Sequence, residues 1–499
     1  MRLSFWIVAL GAVLASLTGT RAQAEDPVFA EILRRLDRLE QENRQLRTNS
    51  DRLEDLVHGT LRRLPSPEGS RQPPSAGHLY AASDYSVYGS AGQPDPAAEI
   101  QQLGVGMQQL QTGLAQLGLG VEALSENLTV TTAHKEFGFK VAVFGSLTAE
   151  MLFAESRPVI PSAMTLISPD FGNDTSTVEL HAKSSYLGAA LVGPRVGTFQ
   201  VGGLLLAYFY GEVVENDLPG FFLARAYGEL KNDDWRFSVG LDGDIVVPLY
   251  PTTLNWAIGN GAGNMGYQRA QFRVERYFHP RPEQQWTVQF GLTDPTVTNF
   301  ADFNLAAGLQ EDNGWPNVEG RIAWGWGPLR ELAGEKRRTV ELGVSGVLGE
   351  LRRTNPVGPP GIDDVWAYGV DAHVRLTDRI GLKGEYFNGQ TIGTYNAAIV
   401  QNFNDARDGI RAAGGWGEVY VYWTPRLHSH FGYSVDDPFD TDLTPGLPSR
   451  NEFLFANLIW DATKSIEVGF ELSRWETDYM APLRGNDAMV YHSRVRIKF

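Results

Sequence analysis

From residue 137 to the C-terminus the hydrophobic period is two, delivered in segments of about ten residues separated by turn residues. Phe237, Val239 and Leu241 alternate with Arg236, Ser238 and Gly240. Trp286, Val288, Phe290 and Leu292 alternate with Thr287, Gln289 and Gly291, and Ile466, Val468, Phe470 and Leu472 repeat the pattern. Half-buried strands of a soluble protein also alternate, so the connections carry the discrimination. Asn232-Asp233-Asp234, Thr377-Asp378, Thr424-Pro425-Arg426 and Ala462-Thr463-Lys464 are short, whereas 154–177, 247–268, 294–316, 389–414 and 476–487 are long. Short turns at one end and long loops at the other describe a membrane barrel with an even strand number. Hydrocarbon leaves no partner for free backbone groups, so only helices and closed barrels cross it. Past the N-terminus no stretch offers the roughly 18 apolar residues that a spanning helix needs. The predicted fold class is an all-β transmembrane barrel of about sixteen antiparallel strands over 137–499, preceded by α-helical coiled-coil segments.

The strands are expected near 139–153, 178–192, 199–211, 220–231, 235–246, 269–279, 284–293, 317–328, 338–350, 364–377, 379–388, 415–424, 427–436, 451–462, 465–475 and 488–499. Trp235, Trp286, Trp324, Trp326, Trp366, Trp416, Trp423, Trp460 and Trp475 lie near strand ends, as interfacial girdles require. In the last segment Met489, Tyr491, Ser493, Val495, Ile497 and Phe499 share one face; His492, Arg494, Arg496 and Lys498 share the other. A terminal aromatic closing such a strand resembles the signal read by the barrel assembly machinery, which assigns Tyr491 and Phe499 that role.

The N-terminal quarter divides into four. Residues 1–24 combine Arg2, a short apolar run and Ala22-Gln23-Ala24, the pattern of a cleaved secretory signal. In 25–64 the positions Ile32, Leu36, Leu39, Leu46, Leu53 and Val57 follow a heptad, with Asn43 on the seam, where a polar residue fixes register. Residues 65–96 are a Pro/Ser/Gly-rich spacer. Across 97–130, Ile100, Leu103, Met107, Leu110, Leu114, Leu117, Val121, Leu124 and Leu128 form a second heptad segment. Two apolar seams without a partner elsewhere in the chain predict self-association.

A net charge of -16 supplies no basic surface for nucleic acid, and the absence of cysteine excludes disulfides and thiolate metal sites. Gly261-Ala262-Gly263-Asn264-Met265-Gly266 fits a dinucleotide fingerprint in letters, but no helix follows it. His428 and His430 share a face without an evident third metal ligand, and the acidic run 436–442 reads as a solvated loop rather than a calcium site. No nucleophile–base set is visible, so no enzyme, cofactor or metal is expected.

The signal peptide, coiled coil, barrel and terminal Phe499 together resemble the trimeric porins. Ala224-Arg225-Ala226-Tyr227-Gly228-Glu229-Leu230, followed by a strand and the loop before Gln268-Arg269, looks like the DcaP-like porins and is similar to the phosphate-selective porins. At Gly240-Leu241-Asp242-Gly243-Asp244 the chain departs from the family's usual sequence. The resemblance implies a homotrimer in the bacterial outer membrane, with the coiled coil in the periplasm. It implies passive diffusion of small hydrophilic solutes. A structural or adhesive protein tethering the outer membrane to the cell wall through its coiled coil is the alternative.

In trimeric porins the loop after the fifth strand folds inward. Here that loop is 248–267, which contains Trp256 and no charged side chain. The wall must then set the sign of the field. Strand parity places Arg225, Arg269, Arg273 and Arg321 on the lumen side, with Tyr227 and Asp242 beside them. Guanidinium groups match carboxylate and phosphate oxygens, so this set predicts a constriction favouring small anionic or polar solutes. Asp242, Asp244, Glu275 and Glu319 are near enough in sequence to pair with the arginines instead, as a wall network.

Overall fold

The computed structural model describes residues 131–134, 139–160, 164–172, 175–209, 222–296, 310–332, 335–353 and 361–499. The signal peptide, both heptad segments with Asn43, and the spacer lie outside the described residues.

Sixteen antiparallel strands form one closed sheet. They are β1 Phe139–Ala154, β2 Tyr186–Val196, β3 Phe199–Tyr208, β4 Phe222–Lys231, β5 Trp235–Gly243, β6 Gln268–Arg281, β7 Gln284–Thr293 and β8 Asn317–Trp326. The second half comprises β9 Val340–Arg353, β10 Gly361–Arg375, β11 Ile380–Gln390, β12 Arg411–Thr424, β13 Leu427–Pro438, β14 Pro448–Asp461, β15 Ile466–Tyr479 and β16 Asn486–Lys498. The seam runs between β1 and β16, from Ser146 opposite Lys498 to Ala154 opposite Val490. Gly145 and Phe499 exchange backbone hydrogen bonds of 2.9 and 3.0 Å at its lower end. Below Phe499 the same edge of β1 is taken over by a short strand, Thr131–His134, paired with Phe139–Ala142. Closure leaves no long edge unpaired, which hydrocarbon would penalise.

The second predicted strand is broken. Thr177–His181 pairs with Glu150–Ala154 of β1, and β2 pairs with Lys140–Ser146. In the interval a turn at 182–185 replaces the ladder, and the Ser185 hydroxyl accepts the Thr148 N–H at 2.9 Å.

Alternation sorts the side chains as a barrel in lipid requires. Val239, Phe272, Ile322, Val344, Leu454 and Val495 are exposed on the outer face, while Ser238, Gln271, Glu319, Ser345, Asn457 and Arg494 are buried inside. Such a polar-in, apolar-out wall makes sense only with hydrocarbon outside. Trp235, Trp286, Trp326, Trp423 and Trp460 are exposed at the short-turn end, forming one girdle. Trp416 and Trp475 correct the expectation: both are buried and face inward. Trp475 stacks on Phe453 with centroids 4.2 Å apart. Its odd position in β15, opposite in parity to Phe470 and Leu472, already implied the inner face.

Candidate functional site

Among the described residues, three long connections turn inward into the lumen from the long-loop end. The first includes Ile160, Met164, Leu166 and Ile167; the second runs over 244–267; the third over 391–410. Only the second was expected to do so. Their apolar residues pack on one another and on the wall. Ile160 meets Trp256 and Ala257 beside Phe144, Tyr186 and Leu206. Met265 and Val247 meet Ile392, Tyr395 and Phe403, and Leu166 meets Ile399 and Val400. A hydrophobic core thus sits inside the barrel, at the level where an open channel would hold water. Trp256, predicted at the constriction, is buried in this core with Lys183 over its ring at 5.8 Å.

The backbone at this place is unusual. Val247, Ile258 and the consecutive Ala398, Ile399 and Val400 all have φ between 39° and 60°. Branched side chains avoid that region, and each such residue costs on the order of 1–3 kcal/mol, borne only where the surroundings over-determine the conformation.

The wall supplies the determination. Beyond Asp244 the second loop has no charge of its own, so its backbone N–H groups are the donors available, and wall carboxylates are set to accept them. Ile245 donates to Glu319 on β8 at 2.7 Å, and Leu249 to Glu385 on β11. Thr252 donates to Glu418 on β12 at 2.6 Å, and Leu254 to Glu471 on β15 at 2.6 Å. Val247 N–H reaches the Ser345 hydroxyl at 3.1 Å. Buried backbone N–H groups need such acceptors, since water cannot reach them. Amides answer from the other side: Asn457 Nδ2 donates to Thr252 O at 2.6 Å and Asn451 Nδ2 to Gly261 O at 2.8 Å. Burial pushes the loop phenols of Tyr250 and Tyr267 well above their ordinary value, so the loop stays neutral in alkaline solution too.

The predicted arginines divide. Arg269 has a fully buried side chain, which corrects its placement at the water-facing constriction. Its Nε bonds Asp244 at 2.7 Å, one Nη bonds Asp294 O at 2.9 Å and the other Thr394 O at 2.8 Å. The guanidinium also lies 3.8 Å from the centre of the Tyr395 ring. Five fixed donors on a flat cation suit such a joint, and Arg269 ties the second inward loop to the third.

Arg225, Arg273 and Arg321 face the lumen, together with Arg236 and Lys383, which the sequence reading did not single out. Arg225 pairs with Asp242 at 3.1 Å, and Arg273 with Glu275 at 2.6 Å. Arg236 bridges Glu275 at 2.8 Å and Asp242 at 3.3 Å, over the face of Tyr227. Arg321 grips Asp371 through two nitrogens at 2.6 and 2.9 Å. The predicted wall network therefore exists. It is asymmetric in exposure: the five basic side chains keep 12 to 19 % of their surface exposed, whereas Asp242, Glu229, Glu275, Asp371 and Glu418 keep 0 to 7 %. The basic side chains, more than their carboxylate partners, face the open lumen.

The remaining motifs fall elsewhere. His428 and His430 bond each other at 2.8 Å, and His430 bonds Glu418 at 2.9 Å, so both histidines are already engaged. The run 436–442 splits: Asp436 is buried and accepts the Ile399 N–H at 3.0 Å, while Asp442 grips Arg411 at 2.7 Å. Gly261, Gly263 and Gly266 lie in the inward loop with φ of 66°, 106° and 124°. Tyr491 and Phe499 point outward at the seam, Tyr491 against Phe153 at 5.9 Å.

No family model matches the chain, and no curated protein sequence matches it. Among solved structures it is similar to the outer membrane channel DcaP of Acinetobacter baumannii, with TM-score 0.58 and 14% identity over 74% of this chain and 99% of that one. Salmonella typhi OmpF gives TM-score 0.46 at 11% identity over 74% and 100%. The trimer form of Vibrio cholerae OmpT gives 0.45 at 12% over 72% and 100%. The first likeness shows that the chain has the barrel fold of outer-membrane channels; at 14% identity it shows the fold alone.

Proposed function

We propose that this chain forms a channel in the bacterial outer membrane through which small hydrophilic solutes diffuse passively, with a preference for anions. A sixteen-stranded barrel is wide enough for an aqueous path, and an excess of exposed basic tips raises the local concentration of anions. The observation that carries the sign is the exposure asymmetry between Arg225, Arg236, Arg273, Arg321 and Lys383 and their buried carboxylate partners. Glu319, Glu385 and Glu471 are occupied by loop N–H groups, and Glu467 by Arg494 and Lys498. Reversal potentials in planar bilayers under a salt gradient test it: anion preference is expected, and cation preference in the wild type overturns the reading.

The same proposal makes the protein a homotrimer with its coiled coil in the periplasm, supported by the two heptad seams, and a client of the barrel assembly machinery, supported by outward Tyr491 and Phe499. The depth of the inward core favours one second reading, a closed barrel that tethers the membrane to the cell wall. Liposome swelling separates them, because a closed barrel admits no small sugars.

A further inference from the structure

Across the seam, Glu150 of β1 faces His181 of the Thr177–His181 segment on one side and the register of β16, which carries His492, on the other. All three side chains point into the barrel and are buried, with 0, 1 and 3 % of their surface exposed. His181 Nδ1 lies 3.3 Å from Glu150 Oε2, and His492 Nε2 lies 4.0 Å from the same oxygen. One donor atom from each residue falls within 4.8 Å of the other two. Neither ring nitrogen of His492 makes a hydrogen bond, and Glu150 has only the Ser184 hydroxyl and the two histidines around it. Buried carboxylates are satisfied by hydrogen bonds, by ion pairs or by a metal. The nearby cation Arg494 is drawn away by Glu467 at 2.9 Å, with Arg496 at 3.6 Å from the same oxygen.

We propose that Glu150, His181 and His492 form a divalent transition-metal site, of the zinc class, that staples the barrel seam. Two imidazoles and one carboxylate are a donor set that zinc accepts with a fourth position left to water. Bond lengths of about 2.0–2.2 Å put tetrahedral donors roughly 3.3 Å apart. The Glu150–His181 spacing has that value, and His492, 4.0 Å from the same oxygen and within 4.8 Å of both donors, closes the remainder by a shift of about 1–1.5 Å, within reach of a side-chain rotation. The ion joins the first strand, the last strand and the segment before the 182–185 break, where the ladder on the other edge of the first strand is interrupted. His428 and His430 form no such site, because each already holds a hydrogen-bond partner.

The full-length protein, purified in detergent and stripped with EDTA, is titrated with Co2+. The visible bands of tetrahedral cobalt are expected, displaced by Zn2+ at about one ion per protomer. Zinc raises the temperature at which the folded band converts on a denaturing gel. Glu150→Gln and His492→Asn weaken binding at least about tenfold and abolish that shift, while His430→Asn leaves both unchanged. Absence of the cobalt bands in the wild type overturns the proposal, as does undiminished binding by His492→Asn. Should neither variant fold, zinc content of the loaded, gel-filtered wild type decides: near one equivalent supports the site, and a trace overturns it.

Discussion

Arg269 and Arg273 stand one helical turn apart in number but on the same face of one strand, and they have opposite fates. Arg269 is sealed between Asp244, Thr394 and Tyr395, whereas Arg273 presents part of its fork to the lumen. Removing the first leaves Asp244 buried without its partner, a loss of about 3–5 kcal/mol. Arg269→Ala is therefore expected to lower the denaturing-gel transition and to enlarge single-channel conductance, because the second and third loops separate. Arg269→Lys rescues little, since a point charge cannot bond Asp244, Asp294 O and Thr394 O together while lying on Tyr395. Arg225 and Arg321 act on a different observable. Arg225→Gln with Arg321→Gln should lower the folded yield less than Arg269→Ala, because Asp242 keeps Arg236 and both pairs border the lumen, and should move the reversal potential toward zero or the cation side. An unchanged potential would remove these two side chains from the selectivity argument.

The inward loop at 244–267 is an element whose shape is written in the wall more than in itself. Glu471 accepts from Leu254 N–H, from the Thr253 hydroxyl and from Asn457 Nδ2 at 3.2 Å. Glu471→Ala orphans these donors at about 1–3 kcal/mol for each buried group. Larger and noisier conductance steps are expected, with Glu471→Gln milder because its amide oxygen still accepts. Gly263 gives the converse test. Its φ is 106°, and a Cβ there would sit 2.5 Å from the carbonyl oxygens of both Gly415 and Val435. Gly263→Ala should push the loop off β12 and β13, seen as faster proteolysis within 244–267. This dependence on the wall also explains what the sequence could reveal. Strand positions were legible to within a few residues, since each segment states its own lipid face by alternation. The neutral second loop was legible as a composition. The inward turn of 391–410 and of the segment around Met164 was not, because an apolar loop reads the same whether or not another loop waits to cover it. Ile399 and Val400 were the available signal, branched apolar residues in a long connection. The break in the second strand was equally silent: Thr177–Val196 alternates well enough to pass for one strand until Ser185 is seen capping Thr148.

At the scale of the whole molecule, the barrel closes on itself through β1 and β16, and among the described residues Glu319, Glu418 and Glu471 anchor the second loop from the wall of the same chain. The proposed filter thus draws its described residues from one protomer. Self-association, by contrast, was assigned to the heptads in 25–64 and 97–130, which are separate in sequence from any wall residue that contacts a loop. These two properties should come apart experimentally. Deleting residues 25–130 behind an intact signal is expected to leave a heat-modifiable barrel whose conductance per protomer and reversal potential match the full chain. Its oligomer should dissociate at lower detergent stress, read by cross-linking or light scattering. The membrane supplies what keeps the separated barrels folded, since the outer apolar face is already matched to lipid. If the deletion changes ion preference instead, the N-terminal segments reach the lumen, and the arginine wall is then only part of the filter. If the oligomer persists undiminished, association resides on the barrel's outer face and the heptads serve another partner, which would strengthen the tether reading.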